Sequence, residues 1–236
     1  MNYTKGILKI SQFEIRMDDE LLLDFSRPID NKSRIPVIST NNDEQLTIYK
    51  LLHSVMEKSE EYNKGTEYES YTGIYSVMSI LITDYLMRHA DLPKICEIGC
   101  NNGVLSMNVA MLLQAFNPDS KFVCVTNSIG NESSTDWLDR ISCINPPLGL
   151  SMLASDFHDT MLKDEGFDCT LINGTVKFDD PLGVLKEAKR ITSKKGRIIC
   201  FSKNQPLLDD GFKLIFDNIK EWRFDIDNVL YQAEIV

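Results

Sequence analysis

The sequence predicts an α/β fold with a mostly parallel sheet from residue 94 onward, and three observations carry that prediction. The run Lys94–Ile98 ends in a glycine-bearing turn and passes without a break into the helical pattern Val104–Leu113. Short β-prone runs then alternate with helical patterns, the order that builds a parallel sheet covered on both faces. The chain closes on two strand-like runs, Glu221–Asp227 and Val229–Val236, joined by Asn228. With 236 residues, 43% of them hydrophobic, there is material for one large core. The economical division is an N-terminal extension over residues 1–89 and one main domain over 90–236.

Along the extension, Gly6 to Ile38 alternates β-prone runs with charged clusters, and Pro28 and Pro36 interrupt any continuous element. Asn42 to Lys58 places Leu46, Tyr49, Leu52, His53 and Met56 at helical spacing, and Ile74 to Arg88 predicts a second, more apolar helix. Between them lies a tyrosine-rich stretch punctuated by Gly65 and Gly73. In the main domain, Lys121–Asn127 predicts the second strand and Leu150–Phe157 the third. Gly166–Asn173 predicts the fourth strand, Asp179–Ile191 a helix, and Gly196–Ser202 a fifth strand.

The first turn is the stretch that reads as a ligand site. Gly99 and Gly103 allow positive φ and close approach to the backbone, the helix start offers N–H donors, and Glu97 adds a negative charge at the strand's end. That charge repels a phosphate and suits a sulfonium or an ammonium. The dinucleotide fingerprint G-x-G-x-x-G fails, because Asn101 and Val104 stand where its second and third glycines would be.

Glu97, Gly99 and Gly103 form E-x-G-x-x-x-G, which resembles the first motif, E/D-x-G-x-G-x-G, of the class I S-adenosylmethionine-dependent methyltransferases, with Asn101 in place of the middle glycine. The order of later segments is similar to that family from about Ala90 to the end. The resemblance implies a Rossmann-like seven-stranded, mostly parallel sheet with helices on both faces and a C-terminal antiparallel hairpin. It implies S-adenosyl-L-methionine as cofactor: the loop Gly99, Cys100, Asn101 and Gly103 around its methionine part, Glu97 near the ammonium, and Asn127 with Ser128 at the ribose. Asp156 and Phe157 fall on the adenine contact. Family members usually carry an acid where Asn127 stands; an amide still bonds a hydroxyl, but a charged acceptor makes bonds roughly twice as strong. The competing role for Asp156 is the N-cap of a following helix.

Composition narrows the partners. A net charge of −10 opposes approach to nucleic-acid phosphates or an anionic membrane surface. The densest basic group, Lys186, Lys189, Arg190, Lys194, Lys195 and Arg197, surrounds one helix end and reads as a solvated face complementing the helix dipole. No apolar run is long enough to span a bilayer and no signal peptide opens the chain, so a cytoplasmic protein is expected. Cys96, Cys124, Cys169 and Cys200 fall in strands as small apolar fillers, which fits a reducing compartment; Cys96 and Cys100 lack a second pair to complete a zinc set, so no metal is assigned. A homodimer is compatible with the sequence but not specified by it.

Methyl transfer from a sulfonium needs donor and acceptor held in line, and a base only where the acceptor proton has a high pKa. Asn173, at the end of the fourth strand, is the candidate for orienting the acceptor. His158 is the candidate base, and a surface-loop histidine is the competing reading. Tyr71 and Tyr75 are candidate substrate contacts in a lid over the site, against the alternative that they only pack on the sheet. Asp179 and Asp180 precede Pro181 at a helix start, where acids stabilise the N-terminus without any metal. Two functions follow: an enzyme methylating an oxygen or nitrogen of a small molecule, or a methyltransferase-like domain without turnover that serves as a binding or scaffolding partner, the latter motivated by Asn101 and Asn127.

Overall fold

The computed structural model describes residues 3–4, 7–10, 13–16, 28–30 and 33–34, helical or turn positions 55, 58, 61, 64–65, 74–75, 77–79, 81–82 and 85, and residues 92–236 except 117, 128–131, 145–148 and 225. The chain divides into two compact units, Met1–Asp84 and Tyr85–Val236.

In the first unit, β1 (Tyr3–Thr4), β2 (Ile7–Ile10) and β3 (Phe13–Arg16) form an antiparallel sheet, and β4 (Pro28–Asp30) pairs with β5 (Ser33–Arg34). Val55, Ile74, Tyr75, Val77, Met78, Leu81 and Ile82 are helical and buried. The apolar spacing that predicts a helix from Ile74 therefore marks a buried face.

The second unit holds the seven-stranded sheet. In chain order its elements are β6 (Lys94–Ile98), α1 (Val104–Phe116), β7 (Lys121–Thr126), α2 (Glu132–Ser142), β8 (Gly149–Ala154), β9 (Phe167–Gly174), α3 (Pro181–Ile191), β10 (Thr192–Lys203), α4 (Pro206–Ile215), β11 (Lys220–Arg223) and β12 (Asn228–Glu234). The spatial order is β11-β12-β10-β9-β6-β7-β8. Strands β8, β7, β6, β9 and β10 pair in parallel, while β12 runs antiparallel to both β10 and β11. The chain winds outward from β6 to β8, then returns to the other side of β6 at β9. That reversal opens a crevice at the carboxyl ends of β6 and β9, where α/β sheets bind ligands.

Burial explains why these strands are apolar along their length. Apart from Lys94 every residue of β6 is buried, and β9 is buried except at Asp168, as expected of strands covered on both faces. The core between sheet and helices gathers Ile98, Ile172, Leu185, Ile198, Phe212 and Tyr231, among others. Helix α3 starts as its sequence directs, with Pro181 in the first turn and Asp180 accepting the Gly183 N–H at 2.9 Å.

The structure departs from the sequence expectations in four places. Helices α2 and α4 lie outside the sequence expectations; α2 has few apolar residues to show a period, whereas α4 is short and amphipathic, with Leu208 and Phe212 buried. The third strand stops at Ala154, and residues 155–166 reach β9 with no helix, so Asp156 is not a helix cap; it forms a bridge with Asp159 instead. Strand β10 begins at Thr192, directly from α3, and absorbs an irregularity between Thr192 and Arg197 with Lys195 at φ +63°. Arg197 is no part of a solvated basic face: it is buried, bonds Glu234 at 3.2 Å and lies over the Tyr85 ring at 5.2 Å.

Candidate functional site

The loop between β6 and α1 is built on two left-handed glycines. Gly99 has φ +83° and Gly103 φ +84°, and Asn101 between them has φ +45°. The N–H groups of Gly99 and Cys100 both reach the Val125 carbonyl, at 3.0 and 3.2 Å, which ties the loop to the end of β7. The Gly103 N–H bonds the Cys100 carbonyl at 2.9 Å. Space is as restrictive as conformation. A Cβ at Gly99 would lie 3.1 Å from the Asn173 carbonyl oxygen and 3.3 Å from the Phe178 ring; one at Gly103 would lie 2.8 Å from Trp137 Cδ1.

Glu97 is fully buried, and its carboxylate accepts the Ser106 hydroxyl at 2.5 Å and the Asn173 amide at 3.3 Å. Burial pushes its pKa up to about 7, and the two hydrogen bonds only partly oppose that rise. The carboxylate therefore joins β6, α1 and β9 from within, beneath the loop. Asn173 is nearly buried; its side-chain carbonyl accepts the Thr175 hydroxyl at 2.9 Å and its backbone carbonyl the Val176 N–H at 3.2 Å.

Strand ends β7 and β8 lie side by side, with the Ser155 N–H on the Thr126 carbonyl at 2.9 Å. Asn127 and Asp156, each just past its strand, are both exposed. Phe157 turns inward and meets Phe178 edge to face, ring centroids 5.3 Å apart. Phe178 therefore touches both the Gly99 side and the Phe157 side of the crevice. His158 is exposed and sits against the first turn of α3, where a Cβ on Gly183 would come 2.8 Å from its own Cβ. Cys100 is buried, its thiol pushed up by desolvation. Tyr75 is buried at 1% exposure; Tyr71 and Ser128 lie outside the described residues.

The structure thus brings Glu97, Gly99 and Asn173 into contact and sets Asn127, Asp156 and Phe157 on the neighbouring strand ends. Residues the sequence reading missed complete the frame. Ser106 sits in the first turn of α1, where a hydroxyl can face back to the strand. Trp137 closes over Gly103. Gln205 spans the loop after β9: its amide donates to the Gly174 and Val176 carbonyls at 2.8 and 2.9 Å and accepts the Phe178 N–H at 3.3 Å. Asn102 Nδ2 and Trp137 Nε1 are buried donors with no hydrogen-bond partner among the described residues, beside the same turn. Such orphan donors mark a place where a further acceptor can bind.

A parallel sheet that reverses beside a strand–turn–helix loop with left-handed glycines defines a Rossmann-like cofactor-binding fold. The family model for a methyltransferase domain matches residues 96–200. Among solved structures, the DszA carbon methyltransferase superposes with a TM-score of 0.57 at 12% identity, over 75% of this chain and 57% of that one. A SAM-dependent O-methyltransferase from Thermotoga maritima gives 0.52 at 14% identity, over 67% and 64%. A geranyl diphosphate methyltransferase, in complex with GPP and sinefungin, gives 0.50 at 12% identity, over 68% and 77%. At these identities the likeness is one of fold. No curated protein matches the sequence. The domain match and the shared fold support a class I S-adenosylmethionine-dependent methyltransferase, with S-adenosyl-L-methionine as cofactor. Among the described residues no helix is long and apolar enough to cross a membrane.

Proposed function

We propose that this protein transfers a methyl group from S-adenosylmethionine to an oxygen or nitrogen of a small molecule in the cytoplasm. The observation that carries the reading is the left-handed Gly99–Gly103 loop at the sheet's reversal point, flanked by the tips of β7 and β8. The residues present fit the cofactor. The left-handed turn presents its backbone, with the buried Asn102 and Trp137 donors beside it, to the methionine part, Asn127 and Ser128 supply polar groups for the ribose, and Asp156 with Phe157 offers an acceptor and an apolar edge to adenine. Asn101 preserves the loop: its φ of +45° is a conformation asparagine tolerates better than most residues, so the missing glycine leaves the backbone path intact.

When bound, the cofactor supplies an electrophilic methyl on a sulfonium. The protein's part is to hold and orient. Glu97, with Ser106 and Asn173, fixes the loop from below, and Asn173 stands at the strand end from which an acceptor is aligned. Oxygen and nitrogen acceptors bring their own lone pair, so His158 is required as a base only where a proton must leave first. Residues 90–236 act as the cofactor-binding domain.

Isothermal titration of the full chain with S-adenosylmethionine and S-adenosylhomocysteine tests the reading. Binding of both is expected; absence of heat at millimolar ligand overturns it. The second reading, a domain without turnover that binds or scaffolds a partner, draws on Asn127, where the family's acid is replaced. Under it, Asn127→Asp and Asn101→Gly leave ligand binding absent; under the first they hold or raise affinity.

A further inference from the structure

The segment that replaces a helix between β8 and β9 carries the adenine-side residues, and beyond them it is held at Thr160 by one buried acid. Residues 155–166 have no regular structure, and Met161 and Glu165 take left-handed backbone angles, φ +58° and +50°. A segment of this kind holds one shape only if something outside it does the holding. That something is Glu187 of α3, 5% exposed. One carboxylate oxygen accepts both the backbone N–H of Thr160, at 2.9 Å, and the Thr160 hydroxyl. The same carboxylate takes Nε and Nη2 of Arg190, each at 2.7 Å, in a two-pronged pairing. Arg190 then extends the grip: its Nη1 bonds Asp164 and its backbone carbonyl accepts the Glu165 N–H at 2.9 Å. Thr160 is itself buried at 1% exposure, and its hydroxyl receives the Leu162 N–H at 3.3 Å.

The arrangement is asymmetric in a telling way. From the β8 end, the segment is held by the Ser155 N–H on Thr126 and by the Ser155 hydroxyl on the Asp159 carbonyl at 3.0 Å. Asp156, Phe157 and His158 thus lie between two anchors, one at the sheet and one at Glu187. Burial works to raise the Glu187 carboxyl, and the donors of Arg190 and Thr160 outweigh it, so the group lies below the ordinary carboxyl value and stays charged at neutral pH. A charged, fully bonded carboxylate is a rigid fixture, and its loss leaves buried donors unpaired.

We propose that Glu187 is a positioning residue for cofactor binding: through Thr160 it sets the 156–158 turn and so places Asp156 and Phe157 against the adenine. This rests on the reading of Asp156 and Phe157 given above. The acid touches no ligand; it acts at a distance of one loop.

The test is calorimetric titration of S-adenosylhomocysteine into the full chain and its variants, with a thermal melt of each. Glu187→Gln, which keeps size and removes charge, is expected to weaken binding about tenfold; Thr160→Val, which removes only the hydroxyl, about threefold. Asp156→Asn supplies the decisive comparison. If Glu187 acts through that residue, the Glu187→Gln/Asp156→Asn double variant binds no worse than the weaker single variant, whereas independent roles multiply the losses. Losses that multiply overturn the proposal, as does a folded Glu187→Gln protein with wild-type affinity. Should Glu187→Gln fail to fold, an unchanged affinity in Thr160→Val overturns it equally. A wild-type chain that does not bind the ligand removes the methyl-transfer reading itself, an outcome distinct from wild-type binding that Glu187→Gln leaves intact.

Discussion

Asn173 donates its side-chain amide to the Glu97 carboxylate at 3.3 Å, linking the ends of β9 and β6 across the point where the sheet reverses direction. With the Ser106 hydroxyl on the other oxygen, at 2.5 Å, the acid is bonded on both sides and closed to solvent. The crevice floor is therefore a hydrogen-bonded unit of three elements, and its properties give the first prediction.

Burial raises the Glu97 carboxyl from 4.5 to about 7, so between those values the folded chain holds a proton that the unfolded chain has released. The stability this contributes is fully present below about pH 4.5 and is lost as pH rises through about 7. Its slope is at most about 1.4 kcal/mol per pH unit. Glu97→Gln removes the titration, so urea unfolding from pH 5 to pH 8 should show the variant gaining on the wild type as pH rises. Parallel profiles would contradict this.

Gly103 is fixed by both angle and space. Gly103→Ala forces a Cβ into a left-handed backbone and to 2.8 Å from Trp137 Cδ1. The backbone cost is roughly 1–2 kcal/mol, and overpacking adds about 1–3 kcal/mol. Denaturant titration should place the variant about 2 kcal/mol or more below the wild type, the lower end of those two costs together.

Gln205 holds the loop after β9 through three hydrogen bonds, to Gly174, Val176 and Phe178. Gln205→Ala should cost about 1–3 kcal/mol. Hydrogen exchange locates the effect: amides of residues 175–178 should exchange faster, while those in the middle of β9 keep their protection.

Asn127 stands exposed past the end of β7, where the family usually has an acid. Asn127→Asp should tighten S-adenosylhomocysteine binding by about threefold to tenfold, the gain expected when a neutral acceptor for a hydroxyl becomes charged. Calorimetric titration reads it directly, and weaker binding would argue that the ribose lies elsewhere.

Five of the six cysteines are buried and Cys143 is exposed. A native chain treated with a thiol reagent should therefore react rapidly at one site, Cys143, and at the other five only on unfolding.

The sequence alone was enough for the sheet and its first loop. Strands buried on both faces carry apolar runs, so β6, β7, β9 and the Ile198–Phe201 part of β10 stand out without any contact being known, and Gly99 and Gly103 announce a turn only glycine makes easily. Asp180 and Pro181 likewise mark the start of α3 by local chemistry. What the sequence could not decide depends on partners far along the chain. Arg197 looks like one more surface cation until Glu234 and Tyr85 are seen around it. Glu187 is one acid in a charged helix until Thr160, twenty-seven positions away, is found on its carboxylate. Asp156 fits a helix cap until the helix proves absent. Periodicity and turn chemistry are local and are written in neighbouring residues; burial and pairing of charges are set by tertiary packing, and only the folded chain reveals them.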